Sequence, residues 1–169
     1  MTKNNKKGFT IIEVVLVLAI AGLIFLMVFI ALPALQRSQR NTRRRQDMAR
    51  ILSAFNDYQA NNNGNMPGAD VNTKFKPNYV GSGEQAQDPD GTDYTILAPK
   101  TMGGTSPDGA TGEDYYKGRT APSAVDHNIY YWTHAMCGDE GKLKAGKGDR
   151  EIAIYYYLEG GAIYCGDNQ

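Results

Sequence analysis

No charged residue occurs between Val14 and Leu35. At about 1.5 Å per helical residue, such a run is long enough to cross a bilayer core of roughly 30 Å. A single apolar segment in lipid satisfies its backbone N–H and C=O groups only as a helix. A transmembrane helix is therefore predicted, and the rest of the chain must be organised around it. A secretory signal peptide would carry a shorter apolar region, about 7 to 15 residues, closed by a small-x-small cleavage site. Ala31-Leu32-Pro33-Ala34 imitates such a site poorly, and the run before it is too long. Within the run, Gly22 weakens the helix locally and Pro33 removes the backbone bond to Phe29, so both mark points where it can bend.

Beyond the apolar run, Gln36 to Ala60 holds few helix breakers, and Met48, Ile51, Leu52, Phe55 and Tyr58 recur at helical spacing. The helix is expected to continue through residues 36–61 as an amphipathic extension whose apolar stripe faces a core. Asn61-Asn62-Asn63-Gly64-Asn65 supplies the stop, with Pro67 behind it. Of the 169 residues, roughly 105 to 110 are then left for one globular head, residues 62–169, enough for one modest core.

In that head Tyr, Gly, Asn, Asp, Ser and Thr dominate, which reads as short strands and many turns with tyrosine supplying the apolar area. Tyr94 to Ala98, Ile129 to Thr133, Ile152 to Leu158 and Ala162 to Cys165 read as strands, and Gly160-Gly161 as a hairpin turn between the last two. A long helix on a small antiparallel sheet is an α+β fold. Tyr130, Tyr131, Trp132, Tyr155, Tyr156 and Tyr157 are expected to alternate sides, half in the core and half exposed. Cys137 and Cys165 have no His or Cys at metal-ligand spacing, so one disulfide is the economical reading and two buried thiols the alternative. A disulfide there would stabilise by about 3 to 4 kcal/mol in the chain-entropy model and places the head in an oxidising compartment.

Net charge is zero, with 18 basic and 18 acidic residues, but Arg37 to Arg50 is strongly basic and Glu84 to Asp114 rich in Asp. Asp88-Pro89-Asp90-Gly91-Thr92-Asp93 places carboxylates at alternate positions around a Gly turn. Asp88, Asp90 and Asp93 are thus a calcium candidate, but Asp93 stands where an EF-hand needs Gly and no Glu closes the loop, so an ordinary Asx/Gly turn is the simpler reading. His127 and His134 have no Ser or Cys nucleophile arrangement around them; no catalytic motif and no cofactor is expected.

Lys3, Lys6 and Lys7 precede Gly8, and Phe9-Thr10-Ile11-Ile12-Glu13 opens the helix. The string Lys-Lys-Gly-Phe-Thr-Ile-Ile-Glu-Val closely resembles the class III signal of type IV pilins and pseudopilins, over residues 6 to about 60. The resemblance implies that a membrane prepilin peptidase removes leader 1–8 by cutting between Gly8 and Phe9 and N-methylates Phe9. Residues 9–35 would then be the transmembrane and polymerisation helix, and the head would have a pilin-like arrangement with a disulfide-bounded C-terminal region. Pro33 lies a few residues later than the proline many family members carry.

A carboxylate near the start of a membrane helix costs about 2 to 3.5 kcal/mol and is expected to have a partner. Cleavage would create one, because the new amino terminus of Phe9 is cationic at neutral pH and can pair with Glu13 of a neighbour. Repeated head to tail, that contact propagates into an open helical filament, a homo-oligomer. The family implies an assembly ATPase and a platform protein as further partners, inner-membrane lipid before assembly, an extracellular pilus after it, and roles in adhesion, twitching motility or DNA uptake. A pseudopilin of a secretion or competence system and a bitopic receptor with an uncleaved N-terminus are the alternatives. Arg37, Arg40 and Arg44 share one helical face. Contact with acidic loops of neighbouring subunits is preferred to lipid phosphates, to a merely solvated face and to nucleic acid, since heads would partly sheath the cluster. Three leader lysines against six arginines beyond the span oppose export by the positive-inside rule. The leader motif, cysteine pair and head composition outweigh it.

Overall fold

The computed structural model describes residues 8–97, 100–101, 125–138, 143–146 and 148–169. Leader residues 1–7, Ala98 and the acidic stretch beyond residue 101 as far as Asp114 lie outside the described residues. The chain divides into two compact units, Met1–Gln39 and Arg40–Gln169. One helix, α1 (Ile11–Asn61), contributes to both and is continuous through Gly22 and Pro33.

In the first unit every large apolar side chain from Phe9 to Leu35 is solvent-exposed, on all sides of the helix. In the second unit α1 buries a stripe, Arg44, Met48, Ile51, Ala54, Phe55 and Gln59, whose three- and four-residue steps keep it on one face. The helix ends where the asparagine run begins. Asn63 takes the left-handed conformation (φ 55°) and the Gly64 N–H reaches back 2.8 Å to the Gln59 carbonyl, the six-to-one closure of a Schellman motif. A π-helical segment, Val71–Val80, follows Pro67 and was not expected; it delivers Val71, Phe75 and Val80 to the core. A short 3₁₀ turn, Gly83–Ala86, comes next.

The strands are β1 (Thr95–Ile96), β2 (Lys100–Thr101), β3 (Asn128–Thr133), β4 (Ala135–Cys137), β5 (Leu143–Ala145), β6 (Ile152–Tyr157) and β7 (Ile163–Asp167). The main sheet runs β1-β3-β6-β7, with β2 also on β3, and β4 and β5 form a separate hairpin. β6 is antiparallel to β3 (Tyr131 opposite Ile154) and to β7 (Tyr155 opposite Cys165). The sheet is antiparallel along its long strands, as expected, while the two-residue strands β1 and β2 run parallel to β3. A parallel neighbour needs a long crossover, and the chain between Thr101 and Asn128 is long enough to supply it. The β6–β7 hairpin turns where predicted, with Gly160 (φ 89°) and Gly161 (φ 81°) in the backbone region that only glycine adopts freely.

The tyrosine pattern is corrected. Every residue of β6 is buried, because both faces of the strand are covered. On one face Ile152, Ile154, Tyr156, Ile129 and Tyr131 pack with the α1 stripe and the π-helical segment. On the other, Ala153, Tyr155, Tyr157 and Trp132 pack with Ala135 and Leu143 of the β4–β5 hairpin, and with Cys137, Ile163 and Cys165. Alternation therefore sorts five of these residues between two small cores, and Tyr130 packs half-buried against the second. Cys137 and Cys165 are bonded, tying β4 to β7 across 28 positions of sequence.

Phe55 sits at the centre of the first core, fully buried, with its ring 4.3 Å from that of Phe75 and 4.7 Å from that of Tyr131. Phe55→Ala should lower the unfolding free energy of the head by about 3 to 5 kcal/mol in a denaturant titration. A loss below about 1 kcal/mol would show that α1 is not seated on the sheet through this ring.

Candidate functional site

Gly8, Phe9 and Thr10 precede α1 and are exposed. The start of α1 is held by a reciprocal capping box. Glu13 Oε2 accepts hydrogen bonds from the Thr10 N–H and the Thr10 hydroxyl, each at 2.8 Å, while the Glu13 N–H donates to Thr10 Oγ1 at 3.4 Å. Both protein donors fall on one carboxylate oxygen, and Oε1 accepts none from the described residues. Behind this cap lies the exposed apolar helix, long and apolar enough to cross a membrane.

The head's principal polar constellation lies at Arg44, only 1 % exposed. Its Nε and Nη2 donate to the two oxygens of Asp88 at 2.6 and 2.7 Å, and its Nη1 to Glu159 Oε1 at 2.5 Å and to Asn41 Oδ1 at 3.2 Å. Arg40 grips Glu159 through two bonds of 2.7 Å, and Asn41 exchanges bonds with the Glu159 backbone. The Tyr156 hydroxyl completes the Asp88 shell at 2.9 Å. Burial opposes the Arg44 cation, but the hydrogen bonds to Asp88 and Glu159 outweigh it and raise its pKa further. The Arg40 hydrogen bond, aided by Arg44, holds Glu159 well below the usual carboxylate range, at about 2.

Beside this cluster, Asp88, Asp90 and His127 bring one ligand atom each within 4.8 Å of one another. Asp93 is not in that group; it pairs with Gln87 in an isolated bridge. Both Asp88 oxygens already receive the Arg44 guanidinium, so a cation would have to displace an arginine to use them. His127 Nε2 lies 2.7 Å from Asp90 Oδ2. Partial burial works against the Asp90 charge, but the Thr92 amide and His127 hold its pKa down to about 2. The loop closes as an Asx turn, with the Thr92 N–H on Asp90 Oδ1 and the Asp90 N–H on Asp88 Oδ1.

One family model matches, the prokaryotic N-terminal methylation motif, over residues 3–29. The match supports a type IV pilin-like prepilin, because these N-terminal residues are similar to the class III signal of that family. No curated protein and no solved structure matches the chain. The matched residues contain the Gly8–Phe9 bond, the Thr10–Glu13 cap and most of the apolar run. The long helix followed by a mainly antiparallel sheet is the pilin-like layout.

Within the chain, Thr10 and Glu13 are bonded to each other at the helix start with Phe9 exposed just before them, and Cys137 meets Cys165. Arg40 and Arg44, expected to face acidic loops of other subunits, each carry ion pairs within their own head. Asp88 and Glu159, far away in sequence, fold against the same face of α1, where Arg44 is buried and Arg40 stays partly exposed. Thr10 was overlooked, although Thr-x-x-Glu directly before an apolar run is a readable capping signal.

Arg44→Ala leaves Asp88 buried without its cation and should cost about 3 to 5 kcal/mol in chemical denaturation. Glu159 is depressed in the folded state, so its contribution is complete above the unfolded value near 4.3 and fades as pH falls toward 2. Stability of the head measured down this acid limb should therefore fall less steeply in Glu159→Gln than in the parent. An unchanged slope would remove Glu159 from the network.

Proposed function

We propose that this prepilin is a structural subunit of a type IV pilus, polymerising through residues 9–35 and displaying the head for adhesion, twitching motility or DNA uptake. The methylation motif supports membership of the type IV pilin or pseudopilin family, and the reading of a pilus shaft is the finer step. The observation that carries it is the distribution of apolar surface. All exposed large hydrophobic residues among those described lie between Phe9 and Leu35. A monomer has no way to cover that surface in water, whereas lipid before assembly and parallel neighbours after it both do.

The chemistry of the start follows from its residues. Gly8 and Phe9 are exposed and lie before the helix, so a prepilin peptidase can take the bond between them in an extended conformation. Hydrolysis releases leader 1–8 with Gly8 as its carboxylate and leaves the amine of Phe9, which then takes a methyl group from a sulfonium-type donor, releasing the thioether, and is protonated and cationic at neutral pH. That amine of one subunit pairs with Glu13 of the next, where a carboxylate in apolar surroundings needs a cation. Each subunit has one donor and one acceptor, so the contact is heterologous and the filament open-ended. An assembly ATPase and a platform protein would drive addition at the membrane. No catalytic role is assigned to any residue.

Intact-mass analysis of the mature protein should find a methylated Phe9 as first residue; a retained Met1 would overturn the reading. A Glu13→Ala strain should still process the leader and hold the protein in the membrane while sheared surface fibres disappear. Normal fibres in that strain would remove Glu13 from assembly, and fibres never seen in the parent would move the protein to a pseudopilus.

A further inference from the structure

Past Arg37, the five arginines that follow the apolar run divide into two sets. Arg40 and Arg44 are neutralised by Glu159 and Asp88, and Arg50 is bonded to the Val80 and Gln85 carbonyls and lies 3.6 Å from Asp47. Arg43 and Arg45 are exposed, and no salt bridge joins either to a carboxylate among the described residues. A guanidinium does not lose its proton in a protein, so two permanent cations stand one residue to either side of buried Arg44. Each is turned about 100° from it, on opposite shoulders of the face seated in the head.

We infer that Arg43 and Arg45 are a docking pair for anionic phospholipid headgroups, used while the subunit waits in the membrane. The inference rests on the membrane-spanning reading of residues 9–35. Along α1, Arg43 and Arg45 follow the last apolar residue, Leu35, by eight and ten positions, or about 12 and 15 Å of helix rise. Helical side chains lean toward the N-terminus, here toward the apolar run, and a long arginine side chain recovers several Å of that rise. The headgroup layer is roughly 5 to 8 Å deep on each face of a bilayer. The two guanidiniums therefore fall at its outer edge, within reach of phosphate oxygens that match their planar fork. Arg44, between them, is already committed to the head. Lipid contact at its neighbours thus leaves the internal network untouched.

The full-length mature protein in nanodiscs tests this, with phosphatidylcholine alone or with phosphatidylglycerol added. Modification by phenylglyoxal is read residue by residue from peptide masses. In the anionic discs Arg43 and Arg45 should react about five-fold more slowly than in the neutral ones, since each basic residue near such a surface gains roughly that factor. High salt should abolish the difference, and Arg44 should stay protected in both. Equal rates in the two lipids would overturn the inference, as would protection found only in assembled fibres, which would assign the pair to a neighbouring subunit. Lys substitutions at both positions should keep most of the lipid dependence in a salt-sensitive pull-down, and R43Q with R45Q should lose it while Arg44 remains protected. Protein released from the discs by alkaline carbonate would overturn the membrane reading as well, so the two failures are told apart.

Discussion

An α-helix bonds its own backbone, so its two halves can be placed in different surroundings without leaving a peptide group unpaired. The protein depends on this property of α1 throughout. From Arg40 onward the helix is one wall of a core, and its side chains obey a strict facing pattern. From Phe9 to Leu35 there is no facing pattern, because every direction is apolar. A strand could not make this change of role without exposing an unpaired edge in lipid. The change is made by side chains alone, near the point where arginines replace leucines.

The head solves a second problem, that of a small sheet with few aliphatic residues. Tyrosine supplies large apolar area but carries a hydroxyl that must be bonded when buried. Tyr156 gives its hydroxyl to Asp88 and Tyr94 to Asp47 at 3.1 Å, so polar tips converge on the charged face of α1 while the rings fill the core. Burial drives the pKa of both hydroxyls upward, keeping them neutral donors. Arg44 suits the centre of this arrangement better than lysine would, because its fork meets Asp88 through two parallel bonds and still has a third nitrogen for Glu159. The aromatic core and the ionic cluster are thus joined through Tyr156. The segments they bring together, α1, the loop at Asp88 and the turn at Glu159, are far apart in sequence.

That separation explains which features were legible in advance. The apolar run, the amphipathic stripe at Met48, Ile51 and Phe55, the asparagine stop and the Gly160-Gly161 hairpin are local patterns, set by periodicity or by backbone freedom within a few residues. The partners of Arg40 and Arg44 are not local. Nothing near residue 44 indicates that Asp88 and Glu159 will close on it, and a cluster of arginines on one face reads as surface until they do. The two-sided burial of β6 was hidden for a related reason. Alternation tells which residues share a face, but whether the second face is covered depends on the β4–β5 hairpin and the Cys137–Cys165 bond. The parallel placement of β1 and β2 is decided by the route of a long connection, which carries no periodic signal.

At the N-terminus a local pattern carries more than its most obvious meaning. The Thr10 amide that bonds Glu13 belongs to the peptide link between Phe9 and Thr10, so a cut between Gly8 and Phe9 leaves the cap in place. Maturation on the proposed route therefore adds a cation one residue away without disturbing the carboxylate's existing bonds. Because Oε2 takes both Thr10 donors, the other oxygen is left to receive a second partner. A carboxylate fixed in this way loses little conformational freedom when a neighbour's amine arrives, and the ordering cost of that contact has largely been met in the monomer. Thr10 would thus position the acceptor for assembly, and the same pair would both begin the helix and prepare it to be extended.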